Sequence, residues 1–119
     1  MKIVITAGGP TLDSPIDQRF GRASGFILFD TKTREHVAMD NSQALDSAQG
    51  AGVQAAEAVA RTGAECLITG HCGPKAFRAL SAAGIRIYNG ASGTVAEAIA
   101  SFEAGKLTAS TGADVDGHW

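Results

Sequence analysis

The chain has 119 residues, with 10 Lys or Arg against 12 Asp or Glu, a formal net charge of −2. That balance excludes a strongly basic nucleic-acid binder driven by phosphate neutralisation. Its 45% hydrophobic content excludes general disorder, and its length fits one domain that closes a core without disulfides or a structural metal.

Two cysteines, Cys66 and Cys72, cannot supply a four-ligand zinc ribbon. The opening apolar run, Ile3-Val4-Ile5, is too short for a signal peptide, and no run approaches the length of a membrane span. The expectation is a soluble cytoplasmic protein with reduced thiols and neither a membrane nor a nucleic-acid partner.

Lys2 to Ala7 reads as a first strand, closed by Gly8-Gly9-Pro10. Residues 8–25 form a long loop carrying Pro10, Pro15, Gly21 and Gly25. Loops above about 12–15 residues are uncommon in compact domains and are often functional or mobile. Phe26-Ile27-Leu28-Phe29 is a second strand, and the polar turn Asp30-Thr31-Lys32-Thr33 leads to a third near Glu35–Asp40, making a hairpin.

The remainder alternates strand and helix. A first helix is predicted over Ala48–Thr62, with Ala48, Ala51, Gly52, Ala55, Ala56 and Val59 on one small-residue face. Gly63 caps it. Ala64–Thr69 is a fourth strand. A second helix starts at Pro74, with Ala76, Phe77, Leu80 and Ala83 lining one face, and ends at Gly84. Ile85–Tyr88 is a fifth strand. Thr94 and Glu97 fit a capping box opening a third helix, with Val95, Ala98, Ile99 and Phe102 inward and Gly105 at its end. Residues 1–105 make the α/β domain, and the small polar residues 106–119 read as a flexible C-terminal tail.

The order βββαβαβα implies a single-domain α/β fold with a mixed five-stranded sheet and helices on both faces. The first strand lies centrally, with the hairpin on one side and strands four and five on the other. This is the order of a ribonuclease-H-like core.

Three glycine-rich connections follow strands one, four and five: Gly8-Gly9-Pro10, Gly70-His71-Cys72-Gly73-Pro74 and Gly90-Ala91-Ser92-Gly93. Ligands of open α/β sheets bind beyond the carboxyl ends of strands, and helix N-termini favour anions. Glycine also serves ordinary turns, but three such loops at one edge suggest a cradle for a small anionic ligand. Arg19-Phe20-Gly21-Arg22 in the long loop adds cationic contacts. Lys75 and Arg78 fall in the first turns of the second helix, where cations oppose the helix dipole unless an anion lies nearby. Cys72, at a strand-to-helix turn beside His71, is a candidate soft-metal ligand, although adjacent side chains rarely chelate one metal. Cys66, inside a strand, reads as a core residue. His36 and His118 have no partners by spacing, and Asp13 and Asp17 flank Pro15 as turn formers.

Two-metal nucleases need carboxylates on the core strands. The first strand has none, and strands four and five offer only Glu65. No Gly-x-Ser-x-Gly elbow or Walker loop occurs, and no nucleophile–base spacing is present, so an enzyme is not expected.

Asp17-Gln18-Arg19-Phe20-Gly21-Arg22-Ala23 with Phe26 resembles the signature of the dinitrogenase iron–molybdenum cofactor biosynthesis family. So do Asp40-Asn41, Gln49-Gly50-Ala51-Gly52, and Thr69-Gly70 to Gly73-Pro74 with Ala76-Phe77. The similarity covers residues 1 to about 108. It implies a ribonuclease-H-like fold that carries or handles a metal–sulfur cluster. Gly9-Pro10-Thr11-Leu12-Asp13-Ser14-Pro15 and Gly73-Pro74-Lys75-Ala76-Phe77-Arg78 resemble the members for which a non-covalently held, sulfide-bridged molybdenum–copper cluster is implied. Such a cluster is anionic and brings its own sulfide, so two cysteines suffice. The binding candidates under this resemblance are Gly8, Gly9, Arg19, Phe20, Gly21, Arg22, Gly70, His71, Cys72, Gly73, Gly90 and Gly93, with Cys72 as the candidate metal ligand. The expected role is carrier, store or assembly scaffold. Two alternatives stay open: a phosphate- or nucleotide-sensing module on the same cradle, and a protein-interaction module working with a partner ATPase or assembly protein.

Overall fold

A computed structural model of the protein describes residues 1–41 and 50–110. Its elements are β1 (Lys2–Ala7), a 3₁₀ turn (Phe20–Arg22), β2 (Gly25–Asp30), β3 (His36–Asp40), α1 (Ala51–Arg61), β4 (Cys66–Ile68), α2 (Pro74–Ala82), β5 (Arg86–Tyr88) and α3 (Val95–Glu103). The predicted helix start at Ala48 and the Gln49 entry lie outside the described residues, as does His118.

The sheet order is β3-β2-β1-β4-β5. β1 is antiparallel to β2 and parallel to β4, β2 is antiparallel to β3, and β4 is parallel to β5. This is the mixed five-stranded, ribonuclease-H-like sheet expected from the element order. β1 is central, and Ile3 to Ala7 are all buried. A strand covered on both faces reads as a continuous apolar run, as this one does.

Alternation along the strands divides the core into two layers. Val4, Phe26, Leu67 and Ile87 face α1 and α2, packing with Val59, Ala76 and Leu80. Ile3, Ile5, Ile27, Phe29 and Ile68 face α3, packing with Val95, Ala98 and Ile99. The small face of α1 allows close approach to its neighbour. A Cβ on Gly52 would lie 3.3 Å from Cβ of Ala76.

Gly63, Gly84 and Gly105 each follow a helix with φ of 78°, 80° and 73°. This left-handed conformation closes a helix and favours glycine. The capping box of α3 is complete: Glu97 N donates to Thr94 Oγ1 at 3.1 Å, and Thr94 N donates to Glu97 Oε1 at 3.0 Å.

The chain after residue 105 stays with the domain over its first residues. Ala109 bridges Tyr88 in antiparallel fashion, and Ser110 N donates to Ile87 O at 2.7 Å. Residues 109–110 therefore pair with the outer edge of β5, with Leu107 packed on the α3 side of the core. Residues 111–119 lie outside the described residues.

Candidate functional site at the carboxyl edge

β1, β4 and β5 are parallel, so the loops following them emerge at one edge of the sheet. The long loop between β1 and β2 lies across that edge and is hydrogen-bonded along its length. Ala7 bridges Ile16, Pro15 bridges Thr94, and Arg19 bridges His71. Asp17 N donates to Thr6 O at 2.9 Å and Ile16 N to Gly93 O at 2.9 Å. Val95 N donates to Ser14 O and Ala96 N to Leu12 O, both at 2.9 Å. The loop is thus a strap that closes the sheet end and ties it to the start of α3.

Two buried hydroxyls hold the middle of this strap. Thr6 Oγ1 donates to Asp17 O at 2.8 Å and is hydrogen-bonded to Thr69 Oγ1 at 3.0 Å. Both threonines are 0% exposed. In the sequence each threonine stands directly after an apolar run, Ile3-Val4-Ile5 before Thr6 and Leu67-Ile68 before Thr69.

Gly70 is required by the same crossing, because a Cβ there would lie 2.6 Å from Gln18 O and 2.7 Å from Gln18 Cα. Gln18 Nε2 in turn donates to Ala91 O at 3.3 Å. Gly93, with φ of 83°, leaves room for the Glu97 carboxylate of the capping box.

The structure brings the two leading candidate segments together. Phe20 N donates to His71 O at 3.1 Å, joining the Arg19-Phe20-Gly21-Arg22 turn to the His71-Cys72-Gly73 turn. Phe20 is buried at this junction. It is 1% exposed, and its ring centroid lies 5.9 Å from that of Phe26.

Cys72 also differs from an exposed loop ligand. It is 0% exposed and packs in the same layer as Phe20, Leu67 and Ala76, with its thiol donating to Gly73 O at 3.7 Å. Only a local opening of the turn would bring this sulfur to a bound metal. Cys66 is the core residue expected, and burial pushes its thiol pKa up, with Arg86 opposing more weakly.

Some of the expected cradle amides are used inside the protein. Gly8 N donates to Pro15 O at 2.9 Å, and Gly90 N to Gly70 O at 2.8 Å. These glycines shape the edge, and their N–H groups hold the loops together. Asp17 Oδ1 accepts from Arg19 N at 3.1 Å, which places a carboxylate beside the arginine turn.

Four cationic side chains stand outward at this edge, alongside the exposed carboxylates of Asp13 and Glu97. Arg19, Arg22, Lys75 and Arg78 are exposed, and His71 is half-buried between the two turns. Among the described residues the ion pair is Arg34–Glu103, on the hairpin side, and none of these four cations takes part in one. Lys75 and Arg78 lie on the first turns of α2, which starts with Pro74 after Gly73 and has no acidic residue in its first turn. Like charge against a helix N-terminus is unfavourable unless an anion offsets it. Asn89, next to Gly90, keeps both carboxamide atoms out of solvent without a hydrogen-bond partner among the described residues.

Comparison with known proteins places this edge in context. The family model described as dinitrogenase iron–molybdenum cofactor matches residues 1–105. The apo form of the orange protein from Desulfovibrio gigas superposes with a TM-score of 0.93 at 41% identity, covering 96% of each chain. A NifB-like protein from Thermotoga superposes at 0.79 with 34% identity over 91% of each chain. A dinitrogenase-like protein from Methanocaldococcus jannaschii, at 16% identity, shares the fold with a TM-score of 0.70 over 94% of this chain and 96% of its own. No curated protein matches.

Proposed function

Because the chain belongs to the dinitrogenase iron–molybdenum cofactor family, we propose that it binds an anionic metal–sulfide cluster non-covalently, as carrier, store or assembly scaffold rather than as an enzyme. The cluster is of the molybdenum–copper or iron–molybdenum type, the former favoured by similarity to the orange protein.

The observation that carries this reading is the junction of the arginine turn with the β4–α2 turn. It gathers Arg19, Arg22, Lys75 and Arg78 at one sheet edge without ion-pair partners among the described residues. Such a surface suits a ligand that arrives with negative charge. The donor set agrees with a cluster whose metals are already satisfied. Among the described residues no three His, Cys, Asp or Glu side chains gather to hold a metal ion. The protein then supplies guanidinium and ammonium charge and the dipole of α2, which recognise a sulfide-rich anion without ligating its metals. In this role Arg19 and Arg22 contact the cluster directly. Gly8, Gly9, Gly70, Gly90 and Gly93 shape the loops, Phe20 joins the two turns through its N–H bond to His71 O, and Gly21 and Gly73 lie within those turns. Cys72 is a structural residue. No observation favours nucleotide sensing or a partner ATPase.

Metal-free protein mixed with tetrathiomolybdate and copper tests the reading. The expected result is a coloured, stoichiometric complex that survives gel filtration. Protein that elutes colourless overturns it.

A further inference from the structure

Among the described residues, Asn89 keeps both polar side-chain atoms out of solvent and unpaired. It stands directly after β5, and Gly90 follows it. In an Asn-Gly pair the carboxamide carbon and the next main-chain nitrogen meet with least hindrance, since glycine has no Cβ to shield that nitrogen. The space around Gly90 is open as well: a Cβ built there would meet nothing within 4 Å.

The chain's other asparagine, Asn41, is placed differently. Its Nδ2 donates to Ala23 O at 2.8 Å in the buried interior, and Ser42 follows it. That bond fixes the plane of the carboxamide. The terminal torsion of an asparagine is otherwise broad, so turning Cγ of Asn89 toward Gly90 N breaks no side-chain hydrogen bond. What restrains the pair is the main chain. Gly90 N donates to Gly70 O at 2.8 Å, and Ala91 N donates to Thr69 O at 3.2 Å. The nitrogen must give up its proton before it attacks, so the bond to Gly70 sets the rate.

We propose that Asn89-Gly90 is a self-modification site, where the protein deamidates itself when the Gly90–Gly70 bond opens. Hydroxide takes the amide proton of Gly90, and the nitrogen attacks Cγ of Asn89. The new C–N bond closes a five-membered succinimide. The bond from Cγ to Nδ2 breaks, and Nδ2 leaves as ammonia with a proton from water. Water then opens the ring to an aspartyl or an isoaspartyl residue. The sum is one water consumed and one ammonia released. Burial of the carboxamide does not prevent ring closure, because the nucleophile belongs to the same chain and is already in place.

The consequence follows from the same geometry. An imide nitrogen carries no hydrogen, so Gly70 O loses its partner. An isoaspartyl residue lengthens the main chain by one carbon between β5 and α3. Gln18 crosses at Gly70, and its Nε2 donates to Ala91 O. The modification therefore loosens the strap from the loops after β4 and β5, whatever that edge binds.

Tryptic mass mapping of the full chain tests the proposal. Cuts after Arg34, Arg61, Arg86 and Lys106 put Asn41 in peptide 35–61 and Asn89 in peptide 87–106. When the folded protein is held at mildly alkaline pH, peptide 87–106 should gain one dalton while peptide 35–61 keeps its mass. In urea, where the Gly90–Gly70 bond is gone, the gain should be at least tenfold faster. Asn89→Gln, whose ring would have six members, should stay unmodified, with circular dichroism verifying the fold. A folded protein whose peptide 87–106 keeps its mass while the urea sample gains, or equal rates in the two states, overturns the proposal.

Discussion

The main chain of Gln18 crosses Gly70 so closely that a methyl group on residue 70 would lie 2.6 Å from the Gln18 carbonyl oxygen. Neither residue can move alone, because Gln18 belongs to the strap and Gly70 ends the sheet. Gly70→Ala is therefore an overpacking change, expected to cost about 1–3 kcal/mol. Urea unfolding measures the cost. Amide chemical shifts should move over residues 16–21 and 71–73 while those of β2 and β3 stay in place. Unchanged stability would mean that the strap is not held against the sheet.

The strap also leans on α3, since Ser14 O accepts from Val95 N and Pro15 bridges Thr94. Thr94→Ala removes the side-chain acceptor of the capping box and should destabilise the protein by about 1 kcal/mol. The denaturation midpoint reports this loss. Hydrogen exchange should quicken both in the first turn of α3 and in residues 14–16, as the two are one structural unit.

Arg19 and Arg22 are exposed and lack ion pairs among the described residues, so reversing their charge should leave the fold intact. Under the cluster-binding reading, Arg19→Glu and Arg22→Glu each weaken thiomolybdate–copper uptake at least tenfold. The wild-type affinity should also fall as salt rises, because exposed charges are screened over about 10 Å at 0.1 M salt. Equal uptake by the wild type and the double variant would remove these arginines from the site.

The buried thiols make a separate prediction. Cys66 and Cys72 are both 0% exposed, so in the native protein neither should react with a thiol reagent at the rate of a free cysteine. Burial raises the Cys66 pKa above its ordinary value of 9.0. The folded state then holds this proton more tightly than the unfolded state. Its contribution to stability is intact below pH 9.0 and is lost as pH climbs from there through the raised value. Urea midpoints should fall as the pH is raised above 9.0. Cys72→Ala should keep the colour of the reconstituted complex, and its loss would return the thiol to the list of ligands.

Asn89 carries two buried polar atoms without partners among the described residues. Orphaned polar groups cost about 1–3 kcal/mol of desolvation. Asn89→Ala should therefore leave stability unchanged or raise it, as thermal unfolding will show. A clear loss would mean that the carboxamide is satisfied by bound water and is part of the framework.

Local chemistry wrote much of this protein into its sequence. The glycines at 63, 84 and 105 stop the helices because only they enter the left-handed region without cost, and Thr94 with Glu97 opens α3 through bonds spanning three residues. The apolar run of β1 marks a central strand, and the alternation of strand and helix then dictates the sheet order. The union of the arginine turn with His71 could not be read this way, nor could the burial of Cys72, the use of glycine amides inside the loops, or the return of residues 109–110 to β5. Each depends on contacts between segments far apart in the chain, such as Phe20 with His71 or Thr6 with Thr69. No local propensity encodes which of two distant backbone groups will meet, and that is decided only when the core closes.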